Sequence, residues 1–307
     1  MRLTLKILAA LLLAAFLLSG GAGWMMAAGA LHPQRKPLTR EQIAAADRVF
    51  QSAGATREDL TVTAPDRAAL RGWKVRATIP NGDWVLLFHG VADNRAGVLG
   101  QAAFLLRNGY SVVMMDARAH GESGGEMATY GWLERNDTRA IVDALESAEH
   151  PHCVFALGES MGGAIALQAE AVTPQIDAVV AESSFSSLHE VLFDYAGLQF
   201  SPLLGKTLFR PAAIIGGWQI EREGKFKTKD VSPERAVAAR SFPILLICDG
   251  RDRTIPCRHT QAIYRAAIGP KRLWIVPGAG HTSAYGAAPA EFERRVLELF
   301  AGVHAKK

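Results

Sequence analysis

The sequence predicts an α/β fold: a mostly parallel sheet flanked by helices, with a helical cap insertion. Three observations carry this. Several runs are apolar without interruption, WVLLF at 84–88, SVVMMD at 111–116 and ILLIC at 244–248, as strands buried on both faces require. From residue 60 onward strand-like and helix-like segments alternate, which implies right-handed crossovers between parallel strands. That rhythm lapses between Ser186 and Ser241, a stretch too long for a structureless loop in a compact domain.

Taken in order, the chain opens with Arg2 and Lys6 and then shows no charge from Ile7 to Leu31. A helix needs about 20 apolar residues to cross a bilayer, so 1–31 is expected to be an N-terminal transmembrane anchor and to hold the protein at a membrane. The alternative is a signal segment: Ile7–Leu18 has the length of its apolar core, and Ala27–Ala30 resembles a small-residue cleavage site. Cleavage there would make the protein secreted or periplasmic. Residues 32–59 read as a tether and a short helix, with Thr39 and Gln42 spaced as a capping box and Gly54 as its stop. The remainder, 60–307, forms the main domain.

Within it, strands are expected at Leu60–Thr63, Arg71–Ile79, Trp84–Phe88, Ser111–Asp116, His152–Leu157, Asp177–Ala181, Ile244–Cys248 and Arg272–Val276. Helices are expected at Arg95–Arg107, Gly131–Ser147, Met161–Val172, Arg258–Ile268 and Pro289–Ala301. No helix separates the first two strands, so the sheet should begin antiparallel. In the interval 186–241, Leu188, Val191, Leu192 and Tyr195 fall on one helical face. The charged EREGKFKTKD that follows reads as a solvated face.

Composition narrows the function. Of 307 residues, 49% are hydrophobic and 21% charged, and the net charge is only +4. The basic residues are scattered and not interleaved with aromatics, so no nucleic-acid partner is expected. The cysteines number 3, too few and too odd for a disulfide framework. Cys153 and Cys248 lie in apolar strand-like runs and Cys257 in a loop, and all are read as structural. No cluster has metal-ligand spacing, and no dinucleotide fingerprint or phosphate loop is present, so neither metal nor cofactor is implied.

The chemistry gathers around VFALGESMGGAIAL at 154–167. Gly158-Glu159-Ser160-Met161-Gly162 is a G-x-S-x-G between a strand and a helix. A serine on so sharp a turn is forced into a strained backbone, and Gly158 and Gly162 remove the Cβ atoms that would clash. A tight turn with a capping serine would also fit the five residues alone. A serine nucleophile needs a base, and the base an orienting acid. His281, in VPGAGHTS after the last strand, is the best placed base. After the penultimate strand, DGRDRTIP offers Asp249 and Asp252; Asp249 is placed to cap the turn, and Asp252 is chosen as the acid. The backbone N–H groups of Met161 and of Val91, after His89-Gly90 at the end of an earlier strand, are the expected oxyanion donors.

With HG, Ser, Asp and His in this order at four strand ends, the chain resembles the α/β-hydrolase superfamily over about Leu60 to Val303. DARAHGESGG at 116–125 is similar to that family's D-x-R-G-H-G-x-S segment, with Ala119 where glycine is usual. The likeness is greatest to the serine aminopeptidase and monoacylglycerol-lipase-like branch with a helical cap. The resemblance implies Ser160 as nucleophile, Asp252 and His281 completing the triad, and Val91 and Met161 as the oxyanion hole. It makes His89, Asp116 and His120 architectural. The expected activity is hydrolysis of a lipid-like or acyl ester through an acyl-enzyme. A peptidase of aminopeptidase type is the alternative, and a non-catalytic binding module a more distant one.

Overall fold

The computed structural model describes residues 2–198 and 202–307, and side chains throughout except at 2, 3, 8, 9, 11, 12, 15 and 202. Met1, those side chains in the predicted anchor, and residues 199–201 of the predicted insertion lie outside the described residues. Two helices precede the sheet, α1 (Arg2–Leu31) and α2 (Arg40–Ser52). The body follows as β1 (Thr56–Thr63), β2 (Ala69–Arg76), β3 (Trp84–Phe88), α3 (Leu99–Arg107), β4 (Ser111–Met115), α4 (Glu134–Glu149), β5 (Val154–Glu159), α5 (Met161–Glu170) and β6 (Ile176–Glu182). Helices α6 (Leu188–Gly197), α7 (Pro202–Lys206), α8 (Arg210–Gly224) and α9 (Pro233–Ala239) interrupt the alternation. It resumes with β7 (Ile244–Asp249), α10 (Arg258–Ala266), β8 (Lys271–Val276), α11 (Ala284–Ala287) and α12 (Pro289–His304).

The sheet has 8 strands in the order β1-β2-β4-β3-β5-β6-β7-β8. Strand β2 runs antiparallel to both β1 and β4, and every later pair is parallel. The fold is therefore the α/β-hydrolase fold with a helical cap, as the alternation predicts. All side chains of β3, β4 and β7 are buried, which explains why those segments lack the alternation of a half-exposed strand. The core divides into two layers, one on each face of the sheet. Parallel strands bring their C-terminal ends to one edge, where ligands bind in open α/β sheets.

Several boundaries depart from expectation, β1 beginning at Thr56 rather than Leu60 and α3 at Leu99 rather than Arg95, and two more do so for evident local reasons. Strand β2 ends at Arg76 rather than Ile79, because Thr78 Oγ1 turns to donate to Ala53 O at 2.8 Å. Helix α4 begins at Glu134, not Gly131. Tyr130 and Gly131 take left-handed φ of 57° and 114°, and the Glu134 carboxylate accepts from the Thr129 and Gly131 N–H groups at 2.7 and 2.8 Å. The predicted capping box of α2 forms, with Thr39 and Gln42 bonded reciprocally.

The membrane anchor expected at 1–31 is corrected by the structure: among the described residues, no helix is long and apolar enough to cross a membrane. The membrane localisation and the membrane partner drawn from that segment fall with it. The last third of the run is used in packing, while Leu13, Phe16, Leu17 and Leu18 before it are exposed. Gly23, Ala27 and Leu31 share one face of α1, and all three are buried, Ala27 and Leu31 within the core. Gly23 lies so close to α8 that a Cβ there would stand 2.6 Å from Ala212 O. Its end is tied down by polar contacts: Ala128 N donates to Leu31 O at 2.8 Å, and His32 Nε2 meets Glu223 at 2.6 Å. The residues read as a cleavage site belong to this contact too, since Tyr130 Oη donates to Ala30 O at 3.0 Å.

The cysteines also differ from expectation. Cys248, the penultimate residue of β7, and Cys257, just before α10, form a disulfide with a Cα–Cα distance of 5.5 Å. It closes the loop that carries Asp252. Cys153 is free and buried.

Candidate active site

Strand β5 delivers Ser160 to the C-terminal edge of the sheet on a turn with φ 54° and ψ −118°. The turn is as tight as its glycines require. A Cβ on Gly158 would lie 2.4 Å from the carbonyl of Gly162, and one on Gly162 would lie 2.3 Å from Phe88 O. Helix α5 starts at Met161, so the Met161 N–H belongs to the first turn, where no helical acceptor exists.

Ser160, His281 and Asp252 stand in one hydrogen-bonded line. His281 Nε2 is 2.9 Å from Ser160 Oγ, and His281 Nδ1 is 2.7 Å from Asp252 Oδ2. A carboxylate only accepts, so Nδ1 carries the proton and Nε2 presents its lone pair to the serine. The other Asp252 oxygen accepts from the backbone N–H groups of Thr254 and Ile255 at 2.8 and 2.9 Å. The loop after β7 thus orients the carboxylate before the imidazole meets it. Asp249 faces elsewhere: its Oδ2 accepts from Ser183 Oγ at 2.8 Å and Ser283 N at 3.2 Å, within the frame of the loop.

Gly90 passes close to the serine, where a Cβ would stand 3.8 Å from Ser160 Cβ. The buried His89 ring fixes this loop from behind. Its Nε2 accepts from Ala117 N at 3.0 Å, which leaves Nδ1–H to donate to Gly90 O at 2.7 Å. The Gly90 carbonyl and the Val91 N–H belong to one planar trans unit and point in opposite directions. His89 therefore sets the direction of the Val91 N–H. Burial holds the His89 imidazole below its ordinary pKa, and pushes that of His120 down to about 4, with His89 close by adding to the effect. Both stay neutral. Asp116 is structural: it accepts from Arg95 N, Arg95 Nη1 and Glu122 N, each at 2.8 Å. Ala119, in the same segment, has φ 59°, a left-handed conformation that suits glycine better.

Near the line lie two carboxylates that the motif reading did not assign, Glu159 and Glu182, together with Asp249. Burial pushes Glu159 up to about 7, with Asp93 adding to the shift, and Gln101 Nε2 donates to it at 3.2 Å. Burial, reinforced by Asp249, raises Glu182 well above the carboxylate range, and burial raises Asp249 as well.

A second serine–histidine–aspartate relay is also present. Ser186 Oγ is 2.9 Å from His259 Nδ1, and His259 Nε2 is 2.7 Å from Asp194 Oδ2, with Arg258 pairing to the same oxygen. All three side chains are buried, and Ser186 does not sit on a left-handed turn. The relay fastens α6 of the cap to α10 of the body. Its members come from three segments whose meeting no local pattern announces. Among the described residues, one group has metal-ligand spacing: His152, Cys153 and His304, with ligand atoms within 4.8 Å of one another. It lies at the opposite end of β5 from Ser160.

Next to the Gly90 turn opens a cavity of about 310 Å³. The loop after β3 contributes Val91 and Ala92, the cap Leu188, Leu192 and Tyr195, and α1 contributes Met26, Gly29 and Ala30. None of its lining residues carries a charge.

The chain matches the family model for serine aminopeptidase S33 over residues 80–237. An uncharacterized protein of Mycobacterium tuberculosis is 30% identical over 226 residues, 73% of this chain and 72% of its own. The esterase Pf2001 of Pyrococcus furiosus superposes with a TM-score of 0.71 over 89% of this chain and 99% of its own, at 22% identity. The acylaminoacyl peptidase of Pyrococcus horikoshii does so at 0.61 and 17% identity, over 83% of this chain and 43% of its own. At these identities, both structural likenesses are of fold.

Proposed function

From the premise that the chain belongs to the serine aminopeptidase S33 family and is a serine-type α/β hydrolase, we propose that it cleaves carboxylic esters of lipid-like or acyl character. The observation that carries the reading is the line Asp252–His281–Ser160, with bonds of 2.7 and 2.9 Å, at a strained elbow. In the proposed reaction His281 Nε2 takes the proton of Ser160 Oγ as the oxygen attacks the acyl carbonyl. Asp252 holds the imidazole tautomer and balances the charge that forms. The carbonyl oxygen, now an anion, accepts from the N–H groups of Met161 and Val91. One such donor is worth about 2.7–4 kcal/mol in the transition state. His281 then passes its proton to the leaving alcohol. Water, deprotonated by the same nitrogen, attacks the acyl-enzyme and releases the acid.

Ester rather than peptide substrates are supported by the uncharged cavity next to the Gly90 turn. A free α-ammonium buried there would lack the carboxylate it needs. The tests are direct. Ser160→Ala is expected to abolish both hydrolysis and labelling by a fluorophosphonate probe, and labelling that survives would overturn the nucleophile. On the wild-type protein, p-nitrophenyl esters should turn over faster than aminoacyl-arylamides. The reverse preference would overturn the substrate class.

A further inference from the structure

We infer that the end of the N-terminal helix is the chain-length gauge of the site: Met26, Gly29 and Ala30 form the far wall of an acyl-chain pocket. The inference rests on the ester-hydrolase reading above and adds to it the part of the substrate that is gripped and the segment that grips it.

Two parts of the cavity lining adjoin the reacting centre. Val91 and Ala92 line it and directly follow Gly90, which passes within contact distance of the Ser160 side chain. Tyr195 lines it from the cap, and the nearby Asp252 carboxylate adds to the burial that holds its hydroxyl up to about 12. An acyl carbon bonded to Ser160 therefore has this cavity beside it. The lining is uncharged, so its occupant is an apolar chain and not an amino or carboxylate group.

The wall is fixed. Gly23 and Gly216 let α1 and α8 approach until backbone meets backbone, with 2.9 Å between a Cβ on either glycine and the other's backbone. Tyr130 Oη holds the Ala30 carbonyl, Ala128 N holds that of Leu31, and the Arg35 guanidinium donates to Ser123 O at 2.6 Å. A helix tied on both sides presents a surface at a set distance from the serine. Gly29 is the open part of that surface: a Cβ added there meets nothing within 4 Å. The absent side chain is space left for substrate.

Each methylene moved from water into such a pocket is worth about fourfold in kcat/KM. Filling the space at Gly29 should therefore shorten the preferred chain. The experiment compares p-nitrophenyl octanoate with p-nitrophenyl acetate on the full chain, with fluorophosphonate labelling in parallel. Gly29→Leu is expected to lower the octanoate-to-acetate ratio of kcat/KM by about tenfold or more. Gly21→Leu makes the same change on α1 away from the cavity and should leave the ratio at the wild-type value. Met26→Ala, which widens the wall, should move the optimum to longer chains; it decides the matter if Gly29→Leu does not fold. An unchanged ratio in a labelled, folded Gly29→Leu, or an equal fall in Gly21→Leu, would overturn the gauge and leave the ester-hydrolase reading standing. Absence of labelling in the wild-type protein would instead remove that reading, and the gauge with it.

Discussion

Alanine at Gly162 would test whether the elbow and the proposed oxyanion loop are one mechanical unit. The added Cβ would lie 2.3 Å from Phe88 O, 2.6 Å from Phe88 C and 2.7 Å from His89 O. Ordinary contact begins near 3.4 Å, so the two backbones must part by about 1 Å. None of the three obstructing atoms is a side chain that can swing away. Strand β3 is hydrogen-bonded on both flanks, to β4 and β5, so helix α5 must yield and carry Ser160 and the Met161 N–H with it. Overpacking of this kind costs about 1–3 kcal/mol, and a 1 Å misplacement of reacting groups costs about 100-fold in rate. Gly163→Ala is the internal control. Its Cβ would meet Gly158 O at 3.1 Å and Ala181 Cβ and Glu182 O at 3.3 Å, which needs a shift of only a few tenths of an ångström. Thermal unfolding and ester kcat measured on both variants should separate them: Gly162→Ala destabilised and about 100-fold slower, Gly163→Ala near wild type. A Gly162→Ala protein with wild-type stability and rate, or two variants impaired alike, would refute the coupling.

Three further predictions address the buried polar groups. Glu159, pushed up to about 7 from an ordinary 4.5, binds its proton more tightly in the native state than in the unfolded chain. The stability this contributes is complete below pH 4.5 and is lost as pH rises through about 7. The loss is on the order of 1–3 kcal/mol. Tm measured from pH 5 to 8 should therefore fall less steeply in Glu159→Gln than in wild type, and parallel curves would refute the assignment. Asp194→Ala strips His259 and Arg258 of their buried partner and should destabilise the fold by about 1–3 kcal/mol. Ser186→Ala should leave fluorophosphonate labelling intact; loss of labelling there would mean that the buried relay takes part in the chemistry.

The parts of the molecule legible in the sequence are those whose cause is local. Strands β3, β4 and β7 announce themselves because burial on both faces leaves polar side chains only at the ends of a short apolar run, Ser111 in β4 and Asp249 in β7. The elbow is legible because the glycines on either side of Ser160 are demanded within five residues. What stayed hidden depends on distant partners. Hydropathy registers that 7–31 is apolar but not that Gly23 has a matching gap at Gly216, and so a helix whose last third packs against α8 reads as an anchor throughout. Cys248 reads as a core residue and Cys257 as an unrelated loop residue until the loop between them closes. Asp194, Ser186 and His259 meet only because the cap folds back on the body, and His304 reaches Asp83 at 2.9 Å across 221 residues.

The separation of Ser160 from its hydrogen-bonded histidine by 121 residues has a consequence for the order in which the protein is made. Synthesis proceeds from the N-terminus and domains fold largely as units. Strand β5 and its elbow leave the ribosome well before β8 and the loop after it. Through that interval the chain carries a serine hydroxyl with no imidazole beside it, at a pKa that makes it a poor nucleophile. A nascent chain, or one cut short before His281, would lack the imidazole that the proposed reaction needs. On this reading the last strand does more than finish the sheet, since its arrival arms the serine.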